Sequence, residues 1–366
     1  MNSAARFPLF PPAEESNAAL SDAAQDQLLD RAADEERGEQ PIGGSIDILR
    51  QEGLMRQDGA TDPQTTYKAL TQIGATNLGV GRLWEGHVNA LRLIRLYGSA
   101  SQQKTAEGLI TSDALFGVWG ADGSTPVTLD AETGTLQGEK LFASGLGTVT
   151  HALVTANAGP EAQLILIDVR DIERADASQW DMLGMRATAS GKYDFSGLTV
   201  GEGDLIGAPG DYLREPHFVG GVWRIAALQA GASAGLLGAA AKQLRNMERL
   251  EAEAQKARLM QVLMRVWAGM ALVERAATAA QSNAFSPDTL VANAIAARLY
   301  TEEVGLDAIN AVEQSLGLRH FTQNSETGRM ARDLSVYLRQ AARDAFLQRA
   351  ATHALSQDDG LWGVFK

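Results

Sequence analysis

The apolar residues of this 366-residue chain change their period twice, and that constrains the fold more than any other feature. In the first hundred residues they recur at helical spacing, as in Leu83, His87, Leu91, Ile94 and Tyr97. From Leu115 to Val200 they come in short runs cut by Gly, Asp, Asn and Pro. From about Gly220 the helical period returns in three stripes. These are Leu259, Val262, Leu263, Val266, Met270 and Val273; then Ile295, Leu299, Leu306, Ile309, Val312 and Leu316; then Leu334, Leu338, Ala342 and Ala345. Helices, then strands, then long helices predict an α+β fold rather than an alternating Rossmann sheet. We place the boundaries at 1–110, 111–215 and 216–356, with 357–366 as a tail.

Local signals refine this layout. Ser21 is placed to cap a helix carrying Leu28, Leu29, Ala32 and Ala33, which Gly38 stops. A second helix is expected from Ser45 to Leu54, and a pair follows Asp62-Pro63 through Tyr67–Ile73 and Leu83–Tyr97. Thr135–Leu141, His151–Ala156, Gln163–Val169 and Lys192–Val200 read as strands. Residues 1–40 hold nine acids and three bases, which reads as a solvated acidic face.

Composition excludes several function classes. With no Cys there are no disulfides, thiolate metal sites or cysteine nucleophiles. A net charge of −13 offers no basic stripe for nucleic acid. The longest charge-free run, Ile225–Ala241, is 17 residues, Ala/Gly-rich and short of the roughly 20 apolar residues a membrane span needs. No secretory pattern is visible at the N-terminus, so a cytoplasmic protein is expected. Gly231-Ala232-Ser233-Ala234-Gly235 spells the nucleophile-elbow pattern, but it sits inside an Ala/Gly helix instead of a strand-to-helix turn. Ser101–Lys104 matches SxxK without its companion motifs and reads as a solvated turn. The five histidines have no ligand spacing, so no metal site is expected, and neither a dinucleotide fingerprint nor a P-loop occurs.

Several separated strings together resemble the acyl-CoA dehydrogenase family. They are Tyr97-Gly98-Ser99 with Gln102-Gln103-Lys104; Gly138–Gly145 with His151–Val154; Gly184–Thr188 with Tyr193-Asp194-Phe195 and Ile206-Gly207; Arg224 with Gly231 and Gly235; and Arg332-Asp333. The resemblance implies an N-terminal helical domain, a middle β-barrel domain and a C-terminal four-helix bundle. It also implies FAD between the middle domain and the bundle, and a homodimer or homotetramer assembled through the bundle.

On that resemblance Ser144 contacts the flavin edge and Phe142 covers its ring. Residues 117–124 stand where the family has a Thr-Glu-Pro loop. Trp119 there either covers the flavin or fills the domain junction. Arg249 is the nearest match to the arginine that binds the FAD pyrophosphate, and either Gln255 or Gln261 matches the glutamine. Gln314 and Gly317 survive from the loop that reaches a neighbouring subunit's cofactor.

The largest departure is the base. Family dehydrogenation takes the α-proton of a thioester with a partly desolvated carboxylate while hydride passes to flavin N5. The two family positions for that carboxylate are Ala341 and Trp223 here, and the nearest acid is Asp344, one helical turn on. Three readings follow. The first is an FAD-dependent dehydrogenase acting on an acyl-CoA or other small thioester, with an electron-transfer flavoprotein as partner. The second is a flavin monooxygenase or oxidase on the same fold, and the third a catalytically silent paralogue that binds a partner. The aromatic Leu361–Phe365 segment either docks on a neighbour or is a plain tail.

Overall fold

The computed structural model describes residues 19–282 and 284–356, so the segment Leu361–Phe365 lies outside the described residues. Helices come first: α1 (Asp22–Arg37), α2 (Gly43–Gln51), α3 (Pro63–Thr76), α4 (Leu78–Tyr97) and α5 (Ala100–Thr111). The Ser21 hydroxyl accepts the Ala24 N–H at 3.1 Å, and Gly38 ends α1 in the left-handed region at φ 74°. Asp62 and Asn77 cap α3 and α4 in the same way. Ser99 and Gln102 form a capping box at the start of α5, so the SxxK segment is a helical turn.

Strands follow: β1 (Phe116–Trp119), β2 (Thr128–Asp130), β3 (Thr135–Gln137), β4 (Glu139–Ala143), β5 (His151–Asn157), β6 (Ala162–Asp168), β7 (Ala175–Asp176), β8 (Gly191–Asp194) and β9 (Leu205–Ile206). One sheet runs β3-β2-β5-β6-β9, with β1 parallel to β5; the other runs β4-β8-β7. β5 and β6 pair antiparallel from His151↔Asp168 to Asn157↔Ala162 and bury Leu153, Val154, Leu164 and Ile165. The strand expected over Thr135–Leu141 is split at Gly138 (φ 108°), where a Cβ would lie 2.4 Å from the Pro126 carbonyl oxygen. There the chain leaves one sheet for the other. The strand expected over Lys192–Val200 pairs with β4 only as far as Asp194, whose side chain accepts the Ser196 N–H at 2.9 Å and turns the chain, so that Thr199 bridges Thr135 of β3 instead.

The remaining helices are α6 (Trp223–Asn246), α7 (Glu253–Ala279), α8 (Pro287–Leu316), α9 (Glu326–Tyr337) and α10 (Arg343–Leu355). The third apolar stripe is therefore two helices, broken where Ala342 takes φ 62°. Ile225–Ala241 lies within α6, and no helix among the described residues is long and apolar enough to cross a membrane. Within α6 the nucleophile-elbow lookalike is a packing surface. A Cβ at Gly231 would come 2.1 Å from the Thr71 carbonyl oxygen, and one at Gly235 2.1 Å from that of Ala75. The Ser233 hydroxyl is buried and donates to the Gln229 carbonyl at 2.7 Å.

The acidic face of α1 departs from expectation, because Glu35 and Glu36 are buried. Glu35 accepts from Arg31 at 3.0 Å, Ser45 at 2.6 Å and Asn77 at 2.8 Å. Glu36 accepts the Ala187 N–H at 3.1 Å beside Asp333, which accepts the Met185 N–H at 2.7 Å and pairs with Arg329 at 3.1 Å. Burial, and then repulsion from Asp333, push the Glu36 carboxyl up to about 7. A carboxyl raised in the folded state binds its proton there more tightly than in the unfolded chain. Its stabilisation is full below the unfolded value, 4.5, and is lost as pH rises through 7. Relative to Glu36→Gln, the wild-type chain should lose about 2–3 kcal/mol between pH 4.5 and 8 in chemical denaturation. A flat difference would show that the pair stays ionised throughout.

Candidate functional site

The site is built on a polar stripe of α4 that meets the start of α6. Arg82, Glu85, Asn89 and Arg92 recur at three- and four-residue spacing, so they share one face of an otherwise apolar helix. Glu85 is buried, and its two oxygens accept from Arg82 at 2.9 Å and Arg224 at 3.1 Å. Arg224 also donates to Asn89 Oδ1 at 2.6 Å. Two tyrosines face this cluster, Tyr212 from the segment before α6 and Tyr337 from the end of α9. Burial, and then the charge of Glu85, raise both phenols. The Tyr337 hydroxyl is buried without a hydrogen-bond partner among the described residues. The Tyr212 ring meets Phe218 edge-on at 5.1 Å, and a Cβ at Gly120 would lie 3.3 Å from its hydroxyl. Beside the cluster, Arg92, His217, Gly220, Gly221, Trp223 and Arg224 line a niche with a free volume of about 20 Å³. A larger open groove of about 500 Å³, between the start of α3 and the end of α7, holds no comparable cluster.

A second surface belongs to the strands. In the last pleat of β4, Phe142 takes φ 53° and is 59% exposed, its ring edge-on to Trp180 at 6.5 Å. Next to it a chain of hydroxyls runs inward. Ser190 donates to Ser144 Oγ at 3.0 Å and meets Thr188 Oγ1 at 2.9 Å, and Thr188 donates to the Met185 carbonyl at 2.7 Å. The Ser144 hydroxyl has only a 3.5 Å contact to the Phe142 carbonyl for its own proton, so that proton is free for a ligand acceptor. Leu183 is exposed on the same segment whose carbonyl accepts from Arg332 at 3.1 Å. The 117–124 loop is fixed by buried Lys140, which donates to Asp122 and, at 2.8 Å, to Thr155.

The residues singled out in the sequence are scattered over these surfaces. Trp119 is only 2% exposed, packs on Tyr193 at 5.4 Å and Phe195 at 6.5 Å, and donates to the Ser144 carbonyl at 3.1 Å. It fills the interior of the strands, where it covers no open surface. Arg249 is exposed in the turn between α6 and α7, and Gln261 is exposed on α7. Gln255 spends its amide on the Ser315 carbonyl at 3.2 Å and on Arg258 at 2.7 Å, tying α7 to the end of α8. Gln314 is exposed, bonded to Asn310 at 3.1 Å, and Gly317 follows at φ 57°. Asp344 sits in the first turn of α10, 88% exposed and paired with Arg343 at 3.4 Å. A base needs desolvation, and that position provides none. Ala341 is also exposed, and Trp223 is buried in the niche wall.

Sequence reasoning missed Glu85, Asn89, Arg92, Tyr212, His217 and Tyr337. The signal for the α4 residues was present, since a polar stripe through a helix that is buried on several sides needs partners. Tyr212 and His217 lie in the irregular segment before α6, which carries no periodicity.

No family model and no curated protein matches this sequence. Solved structures do. Dibenzothiophene monooxygenase TdsC from Paenibacillus sp. A11-2 aligns with a TM-score of 0.79 at 20% identity, over 90% of this chain and 94% of its own. KijD3, in complex with FMN and a dTDP-linked amino-keto sugar, aligns at 0.80 and 18%, over 96% and 97%. Butyryl-CoA dehydrogenase from Megasphaera elsdenii aligns at 0.78 and 16%, over 93% and 100%. The chain has the acyl-CoA dehydrogenase fold. At these identities the likeness carries the fold alone. Within that fold, the α4–α6 cluster and its niche, together the α4–α6 cleft, and the Phe142–Ser144 surface are the two candidate sites.

Proposed function

We propose that this chain is a flavin-dependent oxidoreductase of the monooxygenase or oxidase type, acting on a small molecule held in the α4–α6 cleft. The observation that carries this reading is the state of the carboxylates. Glu85 is the acid at the cleft, and both its oxygens are engaged by guanidiniums. The two family positions for a base hold Ala341 and Trp223, and Asp344 is solvated. A dehydrogenase needs a carboxylate free to take an α-proton; oxygen chemistry at a reduced flavin has no such requirement.

The Phe142–Ser144 surface suits a flavin. Exposed Phe142 and Leu183 and half-buried Trp180 offer apolar contact to a planar ring, and Ser144 offers a hydroxyl proton without a strong acceptor. When bound, the flavin supplies the redox chemistry. The chain positions it through Ser144, braced by Ser190 and Thr188, and keeps the loop at 117–124 in place through Lys140. FMN suffices for this reading, as in the FMN-bound structures of TdsC and KijD3. The nucleotide half of FAD would rest on Arg249, Gln261, Gln314 and Gly317, which are exposed and open to a neighbouring copy. Assembly through the bundle is supported by Met260, Met264 and Trp267, which recur along one exposed face of α7.

Titration of FMN and FAD, read by flavin fluorescence, tests the cofactor. Saturable binding is expected, with Ser144→Ala weakening it about fivefold through loss of one hydrogen bond worth about 1 kcal/mol. Butyryl-CoA should fail to bleach the bound flavin anaerobically. Rapid bleaching would restore the dehydrogenase reading, and no binding of either flavin would leave a silent paralogue.

A further inference from the structure

The niche at the start of α6 is cationic, in a chain of net charge −13. Its Arg92 guanidinium makes no hydrogen bond or ion pair with any described residue, and burial disfavours its charged form. The acid that attracts it most, Asp58, is already spent on the N–H groups of Ala60 and Thr61 at 2.8 and 2.7 Å and on Arg95 at 2.6 Å. On the other side Glu215 is spent on Arg349 at 2.7 Å and on the Val219 N–H at 3.0 Å. The rest of the wall adds Arg224 and His217, whose imidazolium form is disfavoured by burial and then by Arg92. Among the described residues no carboxylate lines the niche.

Shape narrows the occupant further. A free volume of about 20 Å³ admits a water or the oxygens of an anionic group, not a whole substrate. Gly220 and Gly221 leave one side bare of side chains. A Cβ on Gly221 would come 2.9 Å from Arg224 Nη2 and displace that guanidinium. From the niche, Phe218 and Tyr212 lead toward Gly120 at the end of β1. A half-buried guanidinium lacking an anion is costly, and its planar fork matches a carboxylate or phosphate.

Resting on the flavin reading above, we propose that the molecule oxidised in this cleft carries an oxyanion, carboxylate or phosphate, and that Arg92 binds it in the niche. His217 and the Gly220-Gly221 turn shape the seat, and Arg224 keeps it positive. The reactive part of the substrate then lies on the Tyr212 side.

Calorimetric titration with sodium hexanoate, pyrophosphate and neutral hexanamide tests this, with FMN affinity measured separately by fluorescence. Hexanoate or pyrophosphate should bind saturably and hexanamide should not; the anion that binds identifies the source of the charge. Arg92→Gln should weaken that binding about tenfold or more, with Arg92→Lys intermediate and Arg170→Gln, at an exposed pair with Asp168, unchanged. FMN affinity should be the same in all variants. Equal anion affinity in wild type and Arg92→Gln overturns the proposal. So does competition between FMN and the anion together with weaker FMN binding in Arg92→Gln, because the niche would then hold the cofactor's own phosphate. Anion binding at Arg92 in a chain that binds no flavin would keep the oxyanion seat and remove the flavin reading alone.

Discussion

Gly231→Ala is expected to destabilise the chain by about 3 kcal/mol or more, while the same change at Gly238, two turns along the same helix, stabilises it by about 0.5–1 kcal/mol. The two sites differ in burial and in what a methyl group meets. At Gly231 it would lie 2.1 Å from the Thr71 carbonyl oxygen and 2.8 Å from the Thr71 carbonyl carbon, so backbone meets backbone and α3 and α6 must separate. At Gly238 nothing lies within 4 Å, and the alanine merely lowers the conformational entropy of the unfolded chain. Gly74, whose Cβ would come 2.6 Å from the Leu228 carbonyl oxygen, makes the same crossing close from the α3 side. Urea denaturation of both variants reads the difference directly. Equal and small effects would mean that the two helices can part without loss.

Arg224→Met is expected to cost about 3 kcal/mol, and adding Glu85→Gln should return most of it. Removing one partner of a buried pair leaves the other without compensation, which ordinarily costs about 3–5 kcal/mol. Here Arg82 stays on Glu85 at 2.9 Å, so the lower end applies. Asn89 also loses the donor at 2.6 Å. The double variant replaces a charge by a neutral amide of similar shape, so the desolvation penalty falls away. A double-mutant cycle on thermal or urea unfolding gives the coupling. Strict additivity would show that Glu85 is stabilised by Arg82 alone, and that the α4–α6 cluster is not a single electrostatic unit.

Much of this architecture was legible in the residues. The caps at Ser21, Asp62 and Asn77, the stop at Gly38, and the helical stripes of α4, α7 and α8 are local signals, each set by hydrogen bonding or side-chain spacing within a few residues. The reading of Gly231–Gly235 as part of an Ala/Gly helix was equally local in origin, because no strand precedes it. Where the sequence misled, a distant contact had overridden a local pattern. Glu35 and Glu36 looked like solvent-facing acids, yet Ser45, Asn77 and the Ala187 N–H come to them from other elements. Thr135–Leu141 looked like one strand, yet close approach to the Pro126 carbonyl bends it at Gly138.

The candidate site divides along the same line. By itself the sequence supplied the resemblance, which sets Ala341 and Trp223 at the positions expected of a dehydrogenase base, since residue identities need no coordinates. It also determined the order of helices and strands, because periodicity is a one-dimensional property. Only the tertiary structure decided that Trp119 is core, that Asp344 is solvated, and that Arg92 lies beside His217 in a niche with no acid among its described lining residues. Burial and partnership depend on which elements meet. Those meetings join residues more than a hundred positions apart, as Arg224 joins Glu85, and no local pattern encodes that distance.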